Sequence, residues 1–197
     1  MKFNKILLII FVYFFSLNNS FSIEPDIFVQ STVNRASKIL SENLSKEQKI
    51  YELKKIAIET VDIKGIGFYT LGSVRKNLSD EQKKKYSKLF EKYFLKSFSS
   101  RLAEYNNPEI DVFGKEVLSE NYTILNSLLI VTSERPEVKI DWRIYKKSKD
   151  NPLIRDLIIE WLSLARTQKE EFSSILDTND GNIDALFKIL EDFAKDE

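Results

Sequence analysis

The sequence predicts an α+β fold, with helices covering one face of an antiparallel sheet of about four strands. Two observations point to it. Apolar residues recur at helical spacing up to Tyr105, form β runs between Ile110 and Leu162, and return to helical spacing up to Phe193. The clusters Asn106-Asn107-Pro108, Glu134-Arg135-Pro136 and Lys149-Asp150-Asn151-Pro152 punctuate the middle stretch as turns. No internal repeat or low-complexity linker divides the 197 residues, so a single domain is expected behind a leader.

The leader comes first. Lys2 and Lys5 form a positive start, residues 6–15 are an unbroken apolar run, and Ser20 and Ser22 stand at −3 and −1 of a cut before Ile23. That layout predicts a signal peptide over residues 1–22 and an exported domain over 23–197. The run falls short of the ~20 apolar residues needed to span a bilayer, which favours cleavage over anchoring. No Cys follows it, so a lipoprotein anchor is not expected.

Pro25, Phe28, Val33, Ala36, Ile39 and Leu40 then read as an amphipathic helix, with Pro in its first turn. Ser45 caps a second helix carrying Ile50, Leu53, Ile56 and Ala57. Asp62 caps a third through Phe68 to Leu71, weakened by Gly65 and Gly67 and ended by Gly72. Ser79 and Gln82 form the sequence pattern of a capping box. Behind it lies the strongest periodicity in the chain: Tyr86, Phe90, Tyr93, Phe94, Phe98 and Tyr105 along one helical face.

Ile110 and Val112 begin the β region, and Tyr122 to Thr132 continues it. Val138, Ile140, Trp142 and Ile144 alternate with polar neighbours. Leu153 to Leu162 is expected as a fourth strand. Two closing helices carry Phe172, Ile175 and Leu176, then Ile183, Leu186, Phe187, Leu190 and Phe193.

Composition removes several chemistries. The chain has no Cys and no His, which excludes disulfides, thiolate nucleophiles, the Ser-His-Asp triad and most zinc or non-haem iron sites. Losing Lys2 and Lys5 with the leader takes 30 basic groups to 28 against 30 acidic ones. That balance argues against a nucleic-acid partner. There is no P-loop, and Gly65-Ile66-Gly67 follows a helix where a dinucleotide fingerprint would follow a strand. Glu170-Glu171, Glu191-Asp192 and Lys83-Lys84-Lys85 read as solvated helix faces. The 14 Phe and 8 Tyr are the unusual figure. The Tyr86–Tyr105 face reads either as ordinary core or as the wall of an apolar pocket against the sheet.

Several segments together resemble one family. They are Asp62…Leu71-Gly72, Leu78 to Gln82, Phe90…Phe98…Arg101-Leu102…Tyr105, Asp156 to Leu164, and Gly181 to Leu186. Their order and spacing are similar to those of the MlaC family, the toluene-tolerance auxiliary components, over nearly all of the exported domain. Trp161 stands where the family usually has Gly, and Arg75 and Leu153 stand where it often has Trp.

The resemblance implies an NTF2-like fold with an apolar cavity between sheet and helices. It implies a periplasmic phospholipid carrier, monomeric, with lipid as cargo and no cofactor. The implied partners are an inner-membrane ABC transporter bearing an MCE-domain ring and an outer-membrane lipoprotein complex. The expected lipid contacts on the helices are Phe68, Leu71, Phe90, Phe94 and Phe98. Those on the strands are Ile140, Trp142, Ile144, Ile158 and Leu162. Trp161 is expected either to narrow the pocket or to face outward. Two alternatives remain at this stage: a small-ligand enzyme using Asp156 and Glu160 from one strand face, and a chaperone or scaffold with a dry core.

Overall fold

The computed structural model describes residues 23–106, 108–133, 136–146 and 151–195. The expected leader lies outside them, as do Asn107, Glu134, Arg135, Lys149 and Asp150 of the expected turns.

Four helices precede the sheet. Helix α1 (Pro25–Ser41) opens on a buried Pro25 and buries Val29, Val33 and Leu40. Helix α2 (Lys46–Thr60) starts at a complete capping box between Ser45 and Gln48. Helix α3 (Ile63–Thr70) is capped by Asp62, whose side chain accepts from the Gly65 amide at 3.0 Å. Helix α4 (Asp80–Leu102) starts at a second capping box, between Ser79 and Gln82. Each box satisfies two of the amides that a helix start leaves without partners. Helix α4 ends at Leu102, one turn short of the Tyr105 expected from periodicity.

The sheet is an antiparallel meander of β1 (Ile110–Ser119), β2 (Tyr122–Leu129), β3 (Val138–Lys146), β4 (Pro152–Ile159) and β5 (Leu162–Ser163), in that spatial order. Register shifts after Val112, Val117 and Arg143 mark irregularities that bend it. The count is five strands where about four were expected. The expected strand Leu153–Leu162 is broken by a two-residue turn at Glu160 and Trp161, with φ of 47° and 72°. Positive φ at both central residues is the type I′ geometry that reverses a strand tightly, and it usually selects Asn-Gly. With neither residue present, nothing in the local sequence announces the reversal.

Helices α5 (Leu164–Thr178) and α6 (Ile183–Lys195) close the chain. The core runs from Val29 and Val33 of α1 through Tyr86 and Phe90 of α4 to Leu125 and Ile144 of the sheet. The α2–α3 junction is pinned to β4. The Asp62 amide donates to the Ile154 carbonyl at 2.9 Å, and Arg155 Nε donates to Asp62 Oδ2 at 2.7 Å.

Gly67 shows why α3 tolerates poor helix formers. A Cβ there would lie 2.7 Å from the Phe90 ring, so a bare backbone lets α3 approach α4 closely. One turn on, the Thr70 and Tyr86 hydroxyls are hydrogen-bonded at 2.7 Å. Burial raises the Tyr86 phenol well above its ordinary pKa, so the pair stays neutral.

Candidate functional site

Phe90, Phe94 and Phe98 fall four residues apart, on one face of α4. Their rings form a ladder, with centroids 6.1 Å apart between Phe90 and Phe94 and 5.3 Å between Phe94 and Phe98. Only Phe90 is fully buried; the other two are half-buried. What they face is a cavity of about 180 Å³ bounded by α3, α4, the start of α5, and strands β3 and β4.

The cavity has two unlike ends. Its inner wall is buried and largely apolar, made by Val61, Ile66, Phe90, Trp142, Ile154 and Ala165, with the buried carboxylate of Asp156 beside them. Its outer rim is polar and partly exposed, made by Ser97, Arg101, Thr167, Gln168 and Glu171. The Tyr93 hydroxyl donates to Gln168 Oε1 at 2.8 Å, and Gln168 Nε2 donates to Glu171 Oε2 at 2.8 Å. Burial, with Glu171 nearby, raises the Tyr93 phenol above its ordinary pKa and keeps it a donor.

Of the residues expected as contacts, Phe90, Phe94, Phe98 and Trp142 line this cavity. Phe68, Leu71, Ile140, Ile144, Ile158 and Leu162 lie outside its lining. Phe68 packs against Tyr86 instead, and Leu71 is 2% exposed in the core. Ile140 and Ile144 share the face of Trp142 and are buried in the core without lining the cavity. Ile158 follows Leu157, which lines the cavity, and strand alternation turns it to the other face. Leu162 sits on the short β5 and is exposed.

Sequence reasoning missed the contribution of α5, because Thr167, Gln168 and Glu171 read as an ordinary wet face. Trp142 is held by a hydrogen bond from its Nε1 to Ser127 Oγ at 2.8 Å; Ser127 in turn donates to the Ile140 carbonyl at 2.9 Å. A buried indole N–H needs such an acceptor.

Asp156 and Glu160 do not share a strand face, because Glu160 has left β4 for the turn. Asp156 is buried and structural in its contacts. It accepts from Ser163 Oγ at 2.6 Å and from the Ala165 amide at 3.0 Å, which fixes the start of α5. Glu160 is exposed and accepts from the Lys139 amide at 2.6 Å.

The family profile described as MlaC protein matches residues 30–192. The chain belongs to the MlaC family. No curated protein matches it. Among solved structures, a phospholipid-binding protein from Ralstonia solanacearum, determined in complex with a phospholipid, aligns with a TM-score of 0.74. The alignment covers 87% of this chain and 97% of that one, at 17% identity, and the likeness is therefore one of fold. The two share the α+β arrangement of helices on a curved antiparallel sheet.

Trp161, at the position where the resemblance implies Gly, sits in the β4–β5 turn. A φ of 72° is open to Gly and strained for Trp. The indole does not narrow the cavity: it is 76% exposed, outside the lining, with Lys139 Nζ 4.3 Å above its ring. A Trp truncated in a core costs ~3–5 kcal/mol. Here Trp161→Gly is expected to change stability by no more than about 1 kcal/mol, since relief of left-handed strain offsets the lost exposed cation–π contact. Denaturant melts check the stability. A loss of core magnitude would mean the indole is buried in solution.

Proposed function

We propose that this MlaC-family chain is a periplasmic phospholipid carrier and not an enzyme, exported by cleavage of residues 1–22. It exchanges lipid with an inner-membrane ABC transporter carrying an MCE-domain ring and with an outer-membrane lipoprotein complex. The observation that carries the proposal is the cavity itself, with a buried, largely apolar inner wall and a polar rim open to solvent. The phospholipid bound by the Ralstonia solanacearum protein of the same fold supports it.

The physics sets the requirement. Two acyl tails with roughly thirty methylenes cost on the order of 24 kcal/mol to expose to water, at about 0.8 each. A carrier must therefore enclose them. Phe90, Phe94, Phe98 and Trp142 are the proposed tail contacts. The cavity of about 180 Å³ lies below the ~300–1,000 Å³ of typical ligand pockets. Tail entry therefore requires α4 and α5 to part at the rim, where the Tyr93–Gln168 hydrogen bond joins them.

Tyr93→Phe should accordingly lower stability by about 1 kcal/mol, the usual net worth of one hydrogen bond. It should also speed exchange of a fluorescent phospholipid with acceptor vesicles. An unchanged exchange rate would place the opening elsewhere.

The test of the carrier assignment is mass spectrometry of solvent-extracted lipid from exported, purified protein. Diacyl phospholipid in stoichiometric amount is the expected result, and protein free of lipid that also takes none up from vesicles overturns it. The same preparation tests the leader: its intact mass should begin at or within a few residues of Ile23. Soluble periplasmic protein retaining Met1 would contradict cleavage.

A further inference from the structure

Phe94, Phe98 and Arg101 occupy positions i, i+4 and i+7 of α4, one stripe of its surface, and all three line the cavity. Among the described lining residues Arg101 is the one cation. The two carboxylates of the lining are engaged by their own chain. Asp156 accepts from Ser163 and Ala165, with Arg143 at 3.8 Å, and Glu171 accepts from Gln168.

The cations next in sequence to the rim residues are engaged elsewhere. Lys96 donates to the Phe193 carbonyl at 2.8 Å, Arg166 pairs with Glu170 at 3.9 Å, and Lys169 lies over Tyr69. Among the described residues, no carboxylate pairs with Arg101, which is exposed where the apolar stripe ends. Its place in the last turn of α4 answers the helix dipole, which accounts for a basic residue there but not for its opening onto the cavity.

We propose that Arg101 is the phosphodiester subsite of the cavity, its guanidinium hydrogen-bonding the phosphate of a lipid whose tails lie along Phe94 and Phe98. The assignment rests on the carrier function proposed above and adds which part of the cargo is recognised. A planar guanidinium matches two phosphate oxygens with paired donors. The phosphate is common to all glycerophospholipids, so Arg101 admits them as a class. It separates them from diacylglycerol and leaves the group beyond the phosphate in water.

The experiment titrates lipid-stripped, purified protein with acyl-labelled fluorescent phosphatidylglycerol and with diacylglycerol carrying the same chains. Arg101→Gln should weaken phosphatidylglycerol binding about tenfold, as expected for loss of a hydrogen bond to a charged group, and leave diacylglycerol binding unchanged. Arg101→Lys should fall between the two, keeping the charge and losing the fork. Excess inorganic phosphate should not displace the labelled lipid; displacement would identify a free-anion site and overturn the assignment. Equal phosphatidylglycerol affinity in the wild type and Arg101→Gln overturns the subsite and leaves the carrier function standing. A wild type that takes up neither lipid overturns both.

Discussion

Phe94→Asp is expected to abolish phospholipid retention while the protein still folds. Phe94 is half-buried in the middle of the ring ladder, with Phe90 at 6.1 Å and Phe98 at 5.3 Å. A carboxylate there finds no cation on the inner wall, whose one charged group is the buried Asp156 carboxylate. An unpaired charge confined among lipid tails costs several kcal/mol, and each ~1.4 kcal/mol is tenfold in affinity. Without lipid the same side chain can reach solvent at the rim, so the folded state is penalised less than the loaded one. The control is Lys84→Ala on the exposed start of α4, which should keep its lipid. Bound phospholipid per folded protein is the measurement, with circular dichroism as the check on folding. Similar loss in both variants would mean that surface lysines read the headgroup and that buried tails do not dominate binding.

Phe90→Ala is expected to produce the largest loss of stability. The ring is 2% exposed and packs against Tyr86 at 5.8 Å, Tyr93 at 6.3 Å and Phe172 at 6.2 Å, the last edge-on at 89°. Truncating a buried Phe costs ~3–5 kcal/mol, the higher values where neighbours cannot collapse into the space. Here one side of the ring is already open to the cavity and the other is braced by the close approach of Gly67. Collapse is therefore limited, and the upper half of that range applies. In a domain of this size each kcal/mol moves Tm by about 2–4 °C, so the melting temperature should fall by roughly 10 °C or more. A fall of only a few degrees would show that α3 and α4 settle together when the ring is removed.

Much of the fold was legible because its signals are local. Ser45 with Gln48 and Ser79 with Gln82 announce two helix starts by the reciprocal hydrogen bonds they make. The alternation of Ile140, Trp142 and Ile144 fixes which face of β3 is buried. The same signals do not say which of several buried apolar residues borders a void. Ile140, Trp142 and Ile144 are indistinguishable in pattern, yet only Trp142 lines the cavity. The difference lies in what packs opposite, a long-range property set by where α5 begins. That start depends on the turn at Glu160 and Trp161, which lacks the residues that normally mark a reversal. The polar rim was missed for a related reason: Thr167 and Gln168 look solvated along α5 and meet α4 only in three dimensions.

The two tryptophans occupy opposite environments, one in the inner wall of the cavity with its N–H bonded to Ser127, the other at a hairpin tip in solvent. That contrast makes the chain its own optical instrument. The buried indole should emit to the blue and the exposed one to the red, because emission follows the polarity around the ring. With Trp161→Phe the remaining signal belongs to Trp142 alone. Cargo entering or leaving the cavity then becomes visible in real time without a label. With Trp142→Phe the signal reports contacts at the β4–β5 tip instead, so loading and encounter can be timed separately in otherwise matched molecules.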